Sequence, residues 1–527
     1  MQSTMQAAEV IPYYYAGRKT SAEFHVQVNA TAVPVMVVPE MEATEAAALA
    51  DVYRERYPVY THMAHNRMVA HMAYCAVEGT AEIRIDTGQP VAKAQVHPLV
   101  HRVPVQIDGN AVTFTAHAGS PRYYLVEIDD LPLLAIVLDA YESAAPQPGD
   151  TGVVDAGVFL QGLQPDDDAT PAIRQAIAVA VHEGKTLYLP SGTYTVDTIT
   201  LHRITGLTLY FAPGCLLRIR PSLGGESRHV HGIWLDECED ITLSGRGMLD
   251  HQGYEHFALA GNPYQHGLLS YYVPNAECPF LTQSPINITR CARIVINDLL
   301  VCNSRNFNVN IRHSDAVSMR GVKIVTPGAS TPEYGDGFQI NSSRDVELID
   351  CFCWSNDDYV AVGHYFYSID DRSTERVLVQ GLVGWNGRAN GVRLGFYTHY
   401  PLSDLRFSRC HFTGYTCEGI IIHPLQDAEE SRHYPRYGDV RFEECSFDLP
   451  EQTPRPGFLC IDGARMSTVS LTNIQFNRPT TRRSRLSGHP HGGIEHLVLK
   501  QITFDGQPCA DIEAMHVVTE QVQAIEV

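Results

Sequence analysis

Three carboxylates lie within one short stretch of this chain, and they are the residues best placed to do chemistry. Asp336 stands in Gly335-Asp336-Gly337-Phe338, and an aspartate pair follows in Ser355-Asn356-Asp357-Asp358-Tyr359. An Asp-Asp pair alone is an ordinary solvated turn, so the case for a site rests on what aligns with it. Four phrases align: Asp336-Gly337-Phe338-Gln339-Ile340, Asp358-Tyr359-Val360-Ala361-Val362, Asn390-Gly391-Val392-Arg393-Leu394 and Glu418-Gly419-Ile420-Ile421-Ile422. Asp336, Asp358, Asn390 and Glu418 head them, and Asp357 sits one residue ahead of its phrase. Parallel strands stack about 4.8 Å apart, so as successive strands these phrases make Asp336 and Asp358 neighbours, with Asp357 beside them. Crowded carboxylates repel, and one of the three is expected to keep its proton near neutral pH. A protonated acid beside an ionised carboxylate is what glycoside hydrolysis requires. Stacking leaves open which carboxylate holds the proton.

Polar companions extend the pattern. Gln339 and Arg393 lie three residues along their phrases, and Asn341, His364 and His423 five or six residues along. Arg388 and Arg393 are read either as orienting sugar hydroxyls or an acidic group, or as salt-bridge partners of the aspartates. Asn306 and Asn308, in Cys302-Asn303-Ser304-Arg305-Asn306-Phe307-Asn308, either line a cleft or form an internal asparagine ladder. His364 and His423 are candidates for hydrogen bonds to sugar hydroxyls. Tyr271, Tyr272, Tyr334, Tyr365, Tyr367 and Tyr397 are candidate stacking platforms for sugar rings.

The elements that position these residues repeat. Ile294-Val295-Ile296, Ala316-Val317-Ser318-Met319, Val346-Glu347-Leu348, Val377-Leu378-Val379, Leu405-Arg406-Phe407, Val440-Arg441-Phe442, Val469-Ser470-Leu471 and Leu497-Val498-Leu499 are similar strand phrases. Their spacing of roughly 22 to 35 residues is that of solenoid coils. Short β-branched strands without a leucine framework point to a parallel β-helix. Before it, Asp166-Asp167-Asp168-Ala169-Thr170-Pro171 leads into Ile173, Ile177 and Val181 at helical spacing. Thr170 is expected as N-cap, Pro171 at the first helical position and Gly184 at the end. Such a helix suits the cap that closes a solenoid.

Residues 20–145 follow a different rule. Short alternating runs, Phe24–Val28, Ala81–Ile85 and Val112–Ala116, and an Asp108-Gly109-Asn110 turn predict an antiparallel β-sandwich. Ala43–Arg56 interrupts it as a helix, and Ala144–Gly152 reads as a linker. The expected division is an N-terminal β-sandwich over 1–148 and a right-handed parallel β-helix over 149–527.

Composition narrows the function. A net charge of −21 argues against nucleic acid, and makes an anionic polymer a less natural substrate than a neutral glycan. No stretch is apolar for long enough to span a bilayer. The first 18 residues lack a basic segment followed by an apolar core. A cytoplasmic location is therefore expected, or a secreted one if a signal has been trimmed. Thirteen cysteines show no zinc-type spacing, and Cys351 and Cys353 are expected as free buried thiols on one face of a strand. Neither a metal nor a cofactor is expected, and the expected partner is a carbohydrate substrate.

The segments Gly335-Asp336-Gly337-Phe338 and Ser355-Asn356-Asp357-Asp358-Tyr359-Val360-Ala361-Val362-Gly363 resemble the catalytic region of the polygalacturonase-like β-helix hydrolases, glycoside hydrolase families 28 and 49. The resemblance covers roughly residues 155 to 500. It implies an inverting single displacement, with Asp357 as general acid and Asp336 and Asp358 activating water. Polygalacturonases carry a His-Gly motif on the next coil and an Arg-Ile-Lys motif beyond it, which grips a substrate carboxylate. Here Asn390 stands in the histidine's place and no lysine follows Arg393. The family 49 enzymes, which act on α-glucans such as dextran, share the β-sandwich and β-helix layout. A neutral α-linked glycan is thus expected ahead of galacturonan. A non-catalytic glycan-binding β-helix, and a polysaccharide lyase or epimerase on the same fold, are the readings from other classes.

Overall fold

The computed structural model describes residues 9–56, 68–118, 122–220, 231–255, 283–330, 335–364, 372–386, 389–396, 400–415, 417–423, 435–448, 457–477, 483–490 and 492–527. From Val153 onward the strands join one continuous array, parallel except for the Phe504–Gln507 hairpin, in which most strands pair with the strand three places on. Three strands therefore make one coil, and the array is a right-handed parallel β-helix, the hand that parallel crossovers take. One coil comprises Phe338–Asn341, Arg344–Ile349 and Phe352–Ser355. The next comprises Val360–His364, Thr374–Gln380 and Val383–Asn386. The repeated phrases lie in one register column, running from Ile294 through Val317, Val346, Val377, Leu405, Val440 and Val469 to Leu497.

The interior is a file of stacked apolar side chains running from Val154 to Val517. Aromatics stack on aromatics: Phe412 on Phe447 at 5.0 Å, and Phe447 on Phe476 at 5.0 Å between ring centroids. Cys351 and Cys353 both sit in this core as free thiols. The corners are made by left-handed residues, Glu237, Arg290, His313 and Ser342, with φ between 46° and 54°. Repeating this turn at the same place in each coil keeps the strands in register.

The helix Thr170–Glu183 sets Ile173, Ala176, Ile177 and Ala180 against the first coils. Two details differ from expectation. Ala169 is the N-cap residue, and the Asp168 side chain takes the Thr170 N–H at 2.9 Å, while the Thr170 hydroxyl accepts the Asp197 N–H at 2.8 Å. Val181 is exposed, because the stripe facing the coils runs through the alanines instead. Gly184 ends the helix in the left-handed conformation, at φ 64°.

Before the helix, two sheets pack face to face. One holds Phe24–Val28, Thr31–Val33, Gly79–Thr87, Gln106–Asp108 and Ala111–Ala118, all antiparallel. In the other, Leu134–Asp139 runs parallel to Ala70–Ala76, a departure from an all-antiparallel sandwich. The first face of this second sheet packs on its partner sheet through Val126, Ile136 and Leu138. The other face, with Tyr13, Tyr74, Tyr123 and Leu125, covers outward residues of the β-helix: Met248, Leu300, Val325, Phe352, Trp354 and Trp385. The covered strand Phe352–Ser355 leads directly into Asn356, Asp357 and Asp358. The sandwich therefore buttresses the wall from which two of the three carboxylates emerge.

Candidate active site

The strands beginning at Phe338, Val360 and Val392 and the strand Glu418–Ile422 are stacked neighbours, with Phe338 level with Val360, Val392 and Ile420. Two residues earlier in each, Asp336, Asp358, Asn390 and Glu418 form the column that the aligned phrases predict. The ladder continues through it: Gly337 N–H donates to the Asp358 carbonyl at 2.8 Å and Gly391 N–H to the Glu418 carbonyl at 3.0 Å. Glycine at these two positions follows from the close approach. A Cβ on Gly337 would lie 2.5 Å from the Tyr359 carbonyl oxygen, and one on Gly391 would lie 2.4 Å from that of Gly419.

One carboxylate oxygen from each of Asp336, Asp357 and Asp358 lies within 4.8 Å of the others. The three residues are 2%, 8% and 1% exposed, with the Asp357 side chain the least enclosed. Asp358 is the most firmly held. Its Oδ1 accepts the backbone N–H of Asn390 at 2.9 Å and the Asn390 side-chain N–H at 2.8 Å. Its Oδ2 accepts the Arg393 Nε–H at 2.7 Å. Asn390 Oδ1 in turn accepts the Glu418 N–H at 3.1 Å, tying the column to the next coil. Asp357 is fixed by its backbone: Ser355 Oγ donates to the Asp357 carbonyl at 2.7 Å, and Asp357 Oδ1 accepts the Asp358 N–H at 3.0 Å.

Burial is the largest influence on the Asp358 carboxyl and raises its pKa, and the neighbouring Asp357 charge raises it too, while Arg393 and Asn390 pull the other way. The net direction is upward. The N–H groups of Arg393 and Asn390 donate to both oxygens of the ionised carboxylate, and a proton on Asp358 would forfeit one of these bonds. Burial works against the Arg393 charge, but the charges of Asp358, Asp357 and Asp336 more than offset it, and the pKa of Arg393 is raised. The arrangement can thus keep one acid and one anion side by side. Three oxygens this close would also accept a cation, although the guanidinium already supplies a positive charge.

The remaining predicted residues separate. Arg393 is brought against the triad and Asn390 binds it directly. Asn308 is fully buried and acts as a brace: its side-chain N–H donates to the Asp336 carbonyl at 2.9 Å, and its Oδ1 accepts the Thr326 hydroxyl at 2.5 Å. Asn306 receives the Phe307 N–H on its own side chain at 2.7 Å. His423 is half-buried, 4.0 Å from Asp462, with its pKa lowered by burial and by Arg393 against the opposing pull of Asp462. His364 ends its strand, and its side chain lies outside the described residues, as do Arg388, Tyr334, Tyr271, Tyr272, Tyr365, Tyr367 and Tyr397. Ser355 and Thr326 were not singled out from sequence. Their signal is the column they share, level with Asn303 and Asn386, at the end of the buttressed strands.

Residues 184–375, which include all three aspartates, match the family described as Glycosyl hydrolases family 28. A polygalacturonase of Medicago sativa is 23% identical over 383 residues, covering 68% of this chain and 83% of the relative. An exopolygalacturonase of Platanus acerifolia is 19% identical over 380 residues, covering 67% and 86%. Among solved structures, Dex49A from Penicillium minioluteum superposes with a TM-score of 0.61 at 13% identity, over 95% of this chain and 91% of its own. A hyperthermoactive exopolygalacturonase from Thermotoga maritima superposes with a TM-score of 0.53 at 15% identity, over 73% and 93%. Among the described residues, no helix is long and apolar enough to cross a membrane.

Proposed function

We propose that this chain, a glycoside hydrolase of the parallel β-helix type, cleaves α-linked glycosidic bonds in a neutral poly- or oligosaccharide by single displacement. Asp357 is the general acid, and Asp336 and Asp358 activate the attacking water. The observation that carries the reading is the buried triad, with oxygens within 4.8 Å and one member held by three N–H donors. Those donors favour Asp358 as an anion, the state a base requires. Asp357 is the most accessible of the three, which suits a group that must meet a leaving oxygen, and the motif resemblance gives it the same role.

The neutral substrate rests on Asn390 in the place of a histidine and on Arg393 without a following lysine. Arg393 is already engaged with Asp358, 2.7 Å away. Hydrolysis of galacturonan is the second reading, and the names of the plant relatives, polygalacturonase and exopolygalacturonase, favour it. The chain is read as two units, 1–148 and 149–527, the first bracing the second.

The test is a reducing-end assay of wild type and Asp357→Asn on neutral α-glucans, α-galactosides and galacturonans, with the product anomer read by NMR. Wild type is expected to release sugar from a neutral α-linked polymer with inversion, and Asp357→Asn to lose on the order of 10³-fold. Inverting enzymes usually separate acid and base by roughly 6.5–9.5 Å, and retaining ones their two carboxyls by about 5–5.5 Å. The triad's short oxygen spacing makes the anomer a sharp check. Retention would make one aspartate a nucleophile and overturn the water-activating roles. Release from galacturonan alone would replace the first reading with the second.

A further inference from the structure

We propose that His101 and His411 form a binding site for a divalent transition-metal cation, of the zinc, nickel and copper class, that clips the β-sandwich to the β-helix. His101 ends the short helical turn Leu99–His101 of the sandwich, and His411 opens the strand His411–Thr413 of the β-helix. Phe412 and Phe447 lie in the interior core, so strand alternation turns His411, Ser446 and Asp448 outward. His411 is level with Ser446 on the next coil. The sandwich turn lies on this outward face. Leu99 N–H donates to Asp448 Oδ2 at 2.7 Å, and His97 Nδ1 lies 3.2 Å from the same oxygen. That seating sets His101 beside His411. The pair is separate from the aspartate triad: His411 is level with Val383, and Val383 with Phe352, at the opposite end of the strand that leads into Asp357.

The geometry suits a metal. The two rings are 4.9 Å apart between centroids and inclined at 73°. Zinc–nitrogen bonds of about 2.0–2.1 Å at a tetrahedral ion bring two imidazole centroids to about 5 Å, close to that spacing. His101 is exposed and His411 half-buried, so an ion in solution can reach the pair. His411 Nδ1 lies 2.9 Å from Ser446 Oγ. With Nδ1–H donating to that oxygen, Nε2 keeps the lone pair that a metal takes, and the hydroxyl orients the ring as the outer partners of metal-bound histidines do. Charge agrees with geometry. Burial lowers the His411 pKa to about 4, helped by His101 and opposed by Asp448. Burial also lowers that of His101, against the pull of Asp448. Both rings are therefore neutral at pH 7, and a cation has no proton to displace from them. The carboxylates of Asp448 and Glu127 outnumber the His97 imidazolium between them, which leaves a net negative charge beside two neutral rings. Imidazole donors select zinc, nickel or copper over magnesium and calcium, and water completes the coordination.

The test is calorimetric titration of zinc chloride into the chelator-treated, full-length protein, with urea unfolding at fixed zinc concentrations. One zinc ion should bind per chain, magnesium should not bind there, and zinc should raise the urea midpoint because it binds only the assembled seam. His101→Ala, at an exposed position, should weaken zinc binding by about tenfold or more and abolish the zinc-dependent rise in midpoint. His411→Asn should do the same, with circular dichroism to establish folding. Asp357→Asn should bind zinc as wild type does. Equal zinc affinity in wild type and His101→Ala, or a rise in midpoint that survives in that variant, overturns the site. Loss of zinc binding in Asp357→Asn places the metal at the triad and overturns it equally.

Discussion

Replacing Arg393 with methionine keeps most of the side chain's volume and removes the charge that faces Asp358. The guanidinium Nε lies 2.7 Å from Asp358 Oδ2, with the carboxylate 2% exposed and the arginine side chain 19% exposed. Removing one partner of a buried pair costs about 3–5 kcal/mol. Asn390 still donates two N–H groups to the other oxygen, which places the loss near the lower figure, about 3 kcal/mol. The direction follows from the charge: Arg393 favours the ionised carboxylate, so losing it raises the pKa of Asp358, and burial and Asp357 already push that pKa up. A base that must be ionised then becomes protonated at higher pH, and the acid limb of the kcat/KM profile should move to higher pH. The assay is that profile for wild type, Arg393→Met and Arg393→Lys, with circular dichroism to establish folding. Lysine, which keeps the charge without the planar fork, should shift the limb by less. An acid limb that stays in place while kcat/KM falls at every pH would refute the reasoning, and would mean that Arg393 acts on substrate alone.

Two further predictions concern the seam between sandwich and β-helix. Burial works to lower the His97 pKa, but hydrogen bonds to Asp448 at 3.2 Å and Glu127 at 2.8 Å outweigh it and bring the pKa to about 9. The stability this contributes is full below the unfolded value near 6.5 and is lost as pH rises to about 9. It amounts to about 3 kcal/mol. Urea unfolding on either side of that window should show the loss in wild type, and an equal loss in His97→Gln would exclude the histidine as its source. Lys323 is wholly buried against Asp139, at 2.6 Å, with Tyr74 at 3.0 Å. Lys323→Met should destabilise the fold by about 3 kcal/mol. Lys323→Met combined with Asp139→Leu should recover part of this in the same assay, and a double variant no better than the single would contradict it.

The sequence by itself determined the column of Asp336, Asp358, Asn390 and Glu418, and with it the fold. In a parallel β-helix each coil lies in register on the last, so a written alignment of similar phrases becomes a spatial one. The inward residues Phe338, Val360, Val392 and Ile420 repeat because each packs on its equivalents above and below. Tertiary structure alone decided what periodicity does not encode. Arg393 had two readings from sequence, and only its reach to the coil before settles it beside Asp358. Asn308 could be read as lining a cleft or, slightly the better fit, as part of an internal ladder, and its contact with the Asp336 carbonyl makes it a brace. The parallel pairing of Leu134–Asp139 with Ala70–Ala76, and the seating of His97 on Asp448 and of Lys323 on Asp139, join residues far apart in the chain. Strand alternation says which way a side chain points, but not which distant surface it meets. That is set by the complementarity of two assembled surfaces, which exist only once the chain has folded.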